Sequence, residues 1–347
     1  MRVMLFGAGL EMTGANLLLY RWGAHLRGQG HEVFALIGDG PSGPLQARYG
    51  AAGIKVINSG EVFVDNRTLV ICNTVLAAQH VIKLSSFARC IWWLHEGEVG
   101  ASILGNDTQL QHAFACASAV IFPAPYLIDS IYHGFLFGQP REKLFVVANG
   151  VDAPAAPTAR RAAGDLVRIS TVGTIYSRKR QGDLIRAADA LADLPLQCRL
   201  VGKVQELDDE FRQIIKARPD RFQLLGELSH EQTIAEIEES DLLVHPSANE
   251  ALPLVTLEAG IRGKPLVLAN LPVYRDIWHH GENCLMHSVG DVALLSHLIA
   301  ILARDPALRD RFGAAAKATA ERYRSEVMLA QLDRVAARVA WPGSFQA

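Results

Sequence analysis

Short apolar runs alternate with stretches of helical periodicity along almost the whole chain, in two successive series. The first begins at Arg2 to Gly7, an apolar strand, followed by Ala15 to Arg27, where Leu17, Leu18, Trp22 and Leu26 share one broad face. "GQGHEVFALIG", "GIKVINSG", "TLVICNT", "ARCIWWLHE", "SAVIFPA" and "KLFVVANGVD" then read as successive strands. The second begins at Val167 with "VRISTVGTI". It continues through a helix from about Gly182 to Ala192, "QCRLVGK", a helix at Asp209 to Ala217, "FQLLGEL" and a helix at Glu231 to Glu239. Strands alternating with helices imply βαβ units and a parallel sheet with helices on both faces. Between the two series lies APAAPTARRAAGD (153–165), rich in Ala, Pro and Arg and without a strand pattern. The expected organisation is therefore α/β, with a doubly wound domain at 1–152, a linker at 153–165 and a second doubly wound domain at 166–325. Helical stretches at Val292 to Arg304, Pro306 to Tyr323 and Glu326 to Val339 close the chain.

The densest chemistry lies between Ser240 and Leu285. An apolar strand, Leu242 to His245, runs into a polar loop, Pro246 to Glu250; a helix starts near Pro253, and a second strand follows at Pro265 to Ala269. Glu250 and Glu258 bracket the loop-to-helix junction with seven residues between them. Ligands of open parallel sheets sit at the carboxyl ends of the strands. A helix opening there offers free N–H groups and a positive dipole end, which together hold phosphate. Carboxylates beside a phosphate are repelled by it, so the two acids need another task, and binding hydroxyls of a ribose or a sugar fits them.

In order along the chain, "HPS", the first Glu, "LPLVTLEA", "GKPLV" and "HHGENCLM" resemble the signature of retaining glycosyltransferase family 4, the glycosyl transferases group 1, whose fold is GT-B. The resemblance implies two Rossmann-like domains facing a central cleft: an acceptor-binding domain at 1–152 and a donor-binding domain at 166–325. It also implies a closing helix, 326–347, that packs back on the first domain. It implies a sugar transferred with retention from a nucleoside diphosphate sugar to a hydroxyl acceptor. Glu258 would take the ribose hydroxyls and Glu250 the donor sugar, with the backbone near Leu252, Leu254 and Val255 on the diphosphate. "VGTIYSRKRQGDLIRAA" is similar to the family's cationic loop: Lys179 stands at the expected lysine, and Arg178 is the second donor cation. The family's arginine after the glycine is absent, because Thr174 follows Gly173. The loop after "FQLLG", with Glu227 and Leu228, corresponds to the one that touches the base. His95, after an apolar strand, matches a position that faces the reacting sugar, and Glu96 and Glu98 are acceptor-hydroxyl candidates. In "GLEMTGANLLL", Gly14 fits the glycine that lets backbone approach the donor phosphates. The catalytic set implied is His95, Glu250 and Lys179, with no protein nucleophile.

Other readings of these residues are narrower. Gly7–Ala8–Gly9 after the first strand suggests a dinucleotide loop, but Met12 stands where the third glycine belongs and Asp39 lies too far along for the ribose acid. No D-x-D triplet occurs, in keeping with charge neutralisation by Lys and Arg, so no metal and no cofactor beyond the donor substrate are expected. A net charge of −2 argues against nucleic acid as a partner. Five scattered cysteines with no C-x-x-C pair suggest neither a zinc site nor a disulfide framework. The start, MRVMLFGAGLEM, lacks signal-peptide features, and no apolar run reaches the ~18 residues of a spanning helix. A cytoplasmic protein is expected, with peripheral contact at a membrane compatible with these numbers. The expected partners are a nucleotide-sugar donor, UDP-linked by preference over GDP and ADP, and a saccharide or lipid-linked saccharide acceptor, in polysaccharide or glycolipid synthesis. A nucleotide-sugar epimerase on the same fold, or a sugar-nucleotide-binding protein without turnover, are the alternatives.

Overall fold

A computed structural model describes residues 1–340 apart from 8, 38–42, 59–60, 62 and 155–165. Most of the expected linker, and Trp341 and Pro342 at the end of the last helix, lie outside the described residues. The chain divides into two compact units: Met1–Gly150 with the segment that begins at Ser325, and Val151–Arg324.

In the first unit the strands are β1 (Arg2–Gly7), β2 (Glu32–Ile37), β3 (Lys55–Ile57), β4 (Thr68–Asn73), β5 (Arg89–Trp93), β6 (Ala119–Phe122) and β7 (Leu144–Val146). They form one sheet in the order β3-β2-β1-β4-β5-β6-β7, every pair parallel. The connecting helices are α1 (Gly14–Gly28), α2 (Pro44–Ala51), α3 (Ala78–Leu84), α4 (Glu98–Asn106) and the short α5 (Thr108–Gln111) and α6 (Ala113–Cys116). Helices on both faces bury the central strands, and β4 is buried at every position, its end residues Thr68 and Asn73 included. Trp22 of α1 and Trp93 of β5 meet edge to face at 5.5 Å in this core.

The second unit repeats the plan with β8 (Val167–Val172), β9 (Leu196–Val201), β10 (Phe222–Gly226), β11 (Leu242–His245), β12 (Leu266–Ala269) and β13 (Leu285–His287). Their order is β10-β9-β8-β11-β12-β13, again parallel throughout. Helices α7 (Gln181–Asp189), α8 (Asp209–Ala217), α9 (His230–Glu239), α10 (Leu254–Ile261), α11 (Val292–Arg304) and α12 (Pro306–Ala320) surround it. The last helix, α13 (Ser325–Ala340), belongs with the first unit, where its Asp333 bonds His25 and Gln29 of the α1 region at 2.8 Å each.

Two helix ends differ from the sequence expectation. The expected helix to Ala192 stops at Asp189, because the Arg221 guanidinium takes the carbonyls of Ala188, Leu191, Ala192 and Leu194 and so satisfies a non-helical ending. The expected helix through Tyr323 tightens after Ala320 into a 3-10 turn, Glu321–Tyr323, and the Tyr323 carbonyl accepts from Val151 N at 2.9 Å.

In both sheets the order in which strands are added reverses once: between β1 and β4, and between β8 and β11. At such a switch point the loops diverge to opposite faces and leave a crevice at the carboxyl ends of the strands. Lys179 and Glu250 meet at the second of these.

Candidate active site

In the second unit β11 delivers His245, 3 % exposed, to the switch point. Five residues on, Glu250 turns its side chain back onto the strand end. Glu250 Oε1 lies 3.0 Å from His245 Nε2 and also receives a hydrogen bond from Lys179 Nζ. Lys179 comes from the other side of the switch point, at the end of the 3-10 turn Ser177–Lys179 between β8 and α7. Burial opposes ionisation of Glu250. The hydrogen bond from His245, followed by the charges of His245 and Lys179, outweighs it and holds the carboxyl well below the usual carboxylate range. An acid this strongly held is a fixed anion at neutral pH, suited to accepting hydroxyl hydrogen bonds and unsuited to donating a proton.

Arg178 is tied to the same place. Its Nε donates to the Tyr176 hydroxyl at 2.7 Å, its Nη1 to the Asn249 carbonyl at 3.2 Å, and Ala248 N donates to the Arg178 carbonyl at 2.9 Å. The loop after β8 is thereby laced to the loop after β11. Arg180 goes elsewhere: a left-handed backbone (φ 53°) turns it onto Asp183 in the first turn of α7, with Nε 2.6 Å from Oδ2. The three-residue basic run thus splits, two cations beside Glu250 and one on α7.

Pro253 precedes α10 with no side-chain cap, so the first N–H groups of that helix, at Leu254 and Val255, point toward the loop without a side-chain acceptor. Leu252 and Val255 are buried. Glu258 lies one turn into α10, 6 % exposed, and does not join the Glu250 cluster. Its Oε1 lies 2.9 Å from Nε2 of His230. His230 is the first residue of α9, whose start is fixed by a capping box between Ser229 and Gln232. Glu227 and Leu228 lie directly before that cap, so the loop after β10 reaches Glu258 through His230. The close fit of these loops rests on glycine. A Cβ on Gly202, at the end of β9 (φ +141°), would stand 2.2 Å from the Gly173 carbonyl oxygen, so the loop carrying Thr174 crosses β9 at backbone contact.

In the first unit β4 and β5 are aligned so that Asn73 pairs with Trp93. His95 follows two residues later. Its Nε2 is 2.8 Å from Asn73 Oδ1, and its ring centre is 4.5 Å from that of Trp93. Burial pushes the imidazole down to about 3, so the ring is neutral at physiological pH. Glu96 spends its carboxylate locally: Oε2 accepts from the backbone N–H of His95 (3.0 Å) and of Val75 (3.2 Å). Burial nonetheless raises its pKa. Between them sits Thr74 with φ 71° and ψ 166°, a region that costs of order 1–3 kcal/mol for a residue with a Cβ. Its N–H donates to Trp93 O and its carbonyl accepts from Trp92 Nε1, both at 2.8 Å. Glu98 is exposed on the first turn of α4, apart from Glu96. Gly14 is the first residue of α1, behind the N-cap Thr13, whose Oγ1 accepts from Asn16 N.

Sequence reasoning missed three partners: His245 and His230, which hold the two acids, and Asn73, which holds His95. His245 stood in "HPS" and Asn73 at the end of an all-apolar strand. A polar residue ending a buried strand was the available signal for both. His230 had none, since its meeting with Glu258 depends on how α9 packs beside α10. Among the described residues, no three His, Cys, Asp or Glu side chains group as a metal site, all five cysteines are free, and no helix is long and apolar enough to cross a membrane.

Residues 158–319 match the family described as "Glycosyl transferases group 1", and residues 1–101 match "Glycosyl-transferase family 4". With the signature loop and both sheets in place, the chain belongs to this glycosyltransferase family, and its two α/β units have the GT-B fold. It is similar to the glycogen synthase of Mycobacterium tuberculosis, 31 % identical over 188 residues, which is 52 % of this chain and 45 % of that protein. It is also similar to the phosphatidyl-myo-inositol mannosyltransferase of Mycobacterium leprae, 27 % identical over 206 residues, 57 % of this chain and 54 % of that one. The matches span about half the length of these relatives. Among solved structures, Anabaena HepE in complex with UDP and glucose aligns over 97 % of this chain and 99 % of its own, with TM-score 0.78 and 19 % identity. Sucrose-phosphate synthase from Thermosynechococcus elongatus aligns over 97 % and 98 %, with TM-score 0.73 and 18 % identity.

Proposed function

We propose that this protein transfers a sugar, with retention, from a nucleoside diphosphate sugar to a hydroxyl of a saccharide or lipid-linked saccharide acceptor, in the synthesis of a surface polysaccharide or glycolipid. The observation that carries the reading is the cluster Lys179–Glu250–His245 at the switch point of the second unit, next to the uncapped start of α10. It combines preorganised cations and N–H groups for a diphosphate with a buried, permanently charged acceptor for sugar hydroxyls. A UDP-linked donor is favoured, since the similar fold of HepE was solved with UDP and glucose.

In this reading Lys179, Arg178 and the backbone N–H groups between Leu252 and Val255 hold the diphosphate and meet the negative charge that develops on it as the bond to the sugar breaks, without a metal ion. The arriving diphosphate draws Lys179 off Glu250 Oε1, which opens a lone pair there for the donor sugar while His245 still holds the same oxygen. Glu258, backed by His230, takes the ribose hydroxyls, and the backbone at Glu227 and Leu228 touches the base. Gly14 keeps the start of α1 open to close approach. Glu98 is the better placed acceptor-hydroxyl candidate, because Glu96 is committed to backbone amides. The transition state is oxocarbenium-like, and the departing phosphate oxygen takes the acceptor's proton as the acceptor attacks from the same face. No protein nucleophile is needed.

A thermal-shift screen against UDP, GDP, ADP and their sugar conjugates tests this, because a ligand of the folded state raises the melting temperature by mass action. The expected result is a clear rise with one nucleotide series, UDP first, that is lost in Glu258→Ala. No rise with any nucleotide would overturn the donor site. Binding without transfer to any acceptor would leave the non-catalytic reading, and release of a free epimer would establish the epimerase.

A further inference from the structure

Between the loop after β8 and the loop after β9, at the starts of α7 and α8, lies a solvent-open cavity of about 220 Å³. Lys179, His245, Glu250 and Glu258 do not line it. Its floor is apolar, made by the buried side chains of Ile175, Leu207 and Phe211. A Cβ on Gly182 would stand 2.3 Å from the Phe211 ring, and the Arg186 guanidinium carbon lies 4.8 Å from that ring's centre. The first turns of α7 and α8 are thus locked together, and the floor is fixed. The rim is charged. Arg180 commits Nε and Nη2 to Asp183, at 2.6 and 3.1 Å. Arg186 commits the same two nitrogens to Glu210, at 3.0 and 2.6 Å. A guanidinium has five N–H donors in a fixed fork, so Nη1 of each is left to give, with no hydrogen-bond acceptor among the described residues. Glu206 uses only Oε2, on the N–H of Ser177 at 3.3 Å. Asp208, the N-cap of α8, makes no side-chain cap bond.

We propose that this cavity is a saccharide-binding site, separate from the Lys179–Glu250 cluster, that holds one uncharged sugar ring. Charge selects the class. A phosphate would meet the carboxylates of Asp183, Glu206 and Asp208, and an ammonium would meet the guanidiniums of Arg180 and Arg186. A hydroxyl both donates and accepts. Neighbouring hydroxyls of one ring can therefore give to Glu206 or Asp208 and take from an arginine Nη1, while the C–H bonds of the ring rest on the apolar floor. Size agrees: drug-sized ligands take about 300 Å³ or more, so the cavity suits a single ring and excludes a nucleotide. Every residue used here lies outside the proposed donor site, and the sugar class follows from the lining alone. The two sites adjoin through Tyr176, which lines the cavity and whose hydroxyl accepts from Arg178 Nε at 2.7 Å.

The test is saturation-transfer difference NMR on the full-length protein with the methyl α-glycosides of glucose, mannose and galactose and with maltotetraose. The expected result is a saturable signal from at least one of them, kept in the presence of excess UDP and kept in Lys179→Ala. Asp208→Ala and Arg186→Met should each weaken that binding by about tenfold or more, the usual effect of losing a hydrogen bond to a charged group. Both positions are exposed, so both variants should melt at the temperature of the unaltered protein. Maltotetraose binding more tightly than methyl α-glucoside would assign the site to a glycan chain, and equal binding would assign it to a free sugar; each upholds a saccharide. No signal from any probe would overturn the inference. A signal displaced by UDP, or lost in Lys179→Ala, would place the sugar in the donor site and overturn it too, as would affinities unchanged in both cavity variants. The result reads the same if no nucleotide binds this protein, so the cavity and the proposed function fail separately.

Discussion

At the scale of single residues, each acid of the signature has its own histidine. Glu250 has His245 and Lys179; Glu258 has His230. In the proposed reading Lys179→Ala removes a cation that meets the departing diphosphate, and Glu250→Ala removes the fixed anion that holds the donor sugar. Each should lower transfer by about 10²-fold or more, since one preorganised electrostatic group is worth about 10²–10³. Both variants should keep a cooperative unfolding transition, and steady-state rates with the donor found by thermal shift provide the check. Normal turnover in either would break the assignment. If Lys179 and Arg178 meet the developing charge as proposed, transfer should survive EDTA. Complete loss restored by manganese would refute the metal-free account.

At the scale of elements, α12 reaches the end of α10 through a contact that depends on glycine at 313. A Cβ on Gly313 would stand 2.1 Å from the Gly263 carbonyl oxygen. That oxygen is main chain just past α10, so it cannot swing aside as a flexible side chain would. On the same helix, a Cβ on Gly260 would stand 2.8 Å from the Trp278 ring. Gly313→Ala should therefore destabilise the second unit by about 1–3 kcal/mol, the usual cost of overpacking. It should also weaken nucleotide binding indirectly, because α10 carries Glu258. Urea unfolding followed by fluorescence would show the loss, and an unchanged midpoint would mean that the helices separate freely.

At the scale of the whole molecule, buried histidines make stability depend on pH. Burial lowers the pKa of His31, His80, His95 and His287. For His95 the native value of about 3 lies below the ordinary 6.5. Between those values the unfolded chain binds more protons than the folded one. Stability is thus fully present above pH 6.5 and is lost as pH falls toward 3, by at most about 1.4 kcal/mol per pH unit from His95. Glu96, raised by burial, acts in the opposite sense just above its ordinary 4.5. Glu250, held low, adds to the acid loss below that value. Urea midpoints should drop between about pH 7 and about pH 5 in the wild type, and less steeply in His95→Gln, which retains the other three histidines. Equal slopes would show that His95 is protonated in the folded state.

The alternation of strand and helix was legible in the sequence because period and composition are local: β11, α8 and α11 lie where the pattern placed them. The pairing of Lys179 with the Glu250 loop was legible only as a resemblance. Lys179 and Glu250 are 71 residues apart, and nothing local says that two loops meet at a switch point. The split of the basic run, Arg178 and Lys179 toward Glu250 and Arg180 toward Asp183, came from one left-handed backbone at Arg180, which no side-chain pattern encodes. The partners His245, His230 and Asn73 were decided in the same way, by which strand ends and helices the sheet order brings side by side. Hydrophobic period is written along the chain and determines which segments become strands and helices. Hydrogen-bond partners at the carboxyl ends of those strands depend on contacts across tens of residues, and only tertiary packing sets them.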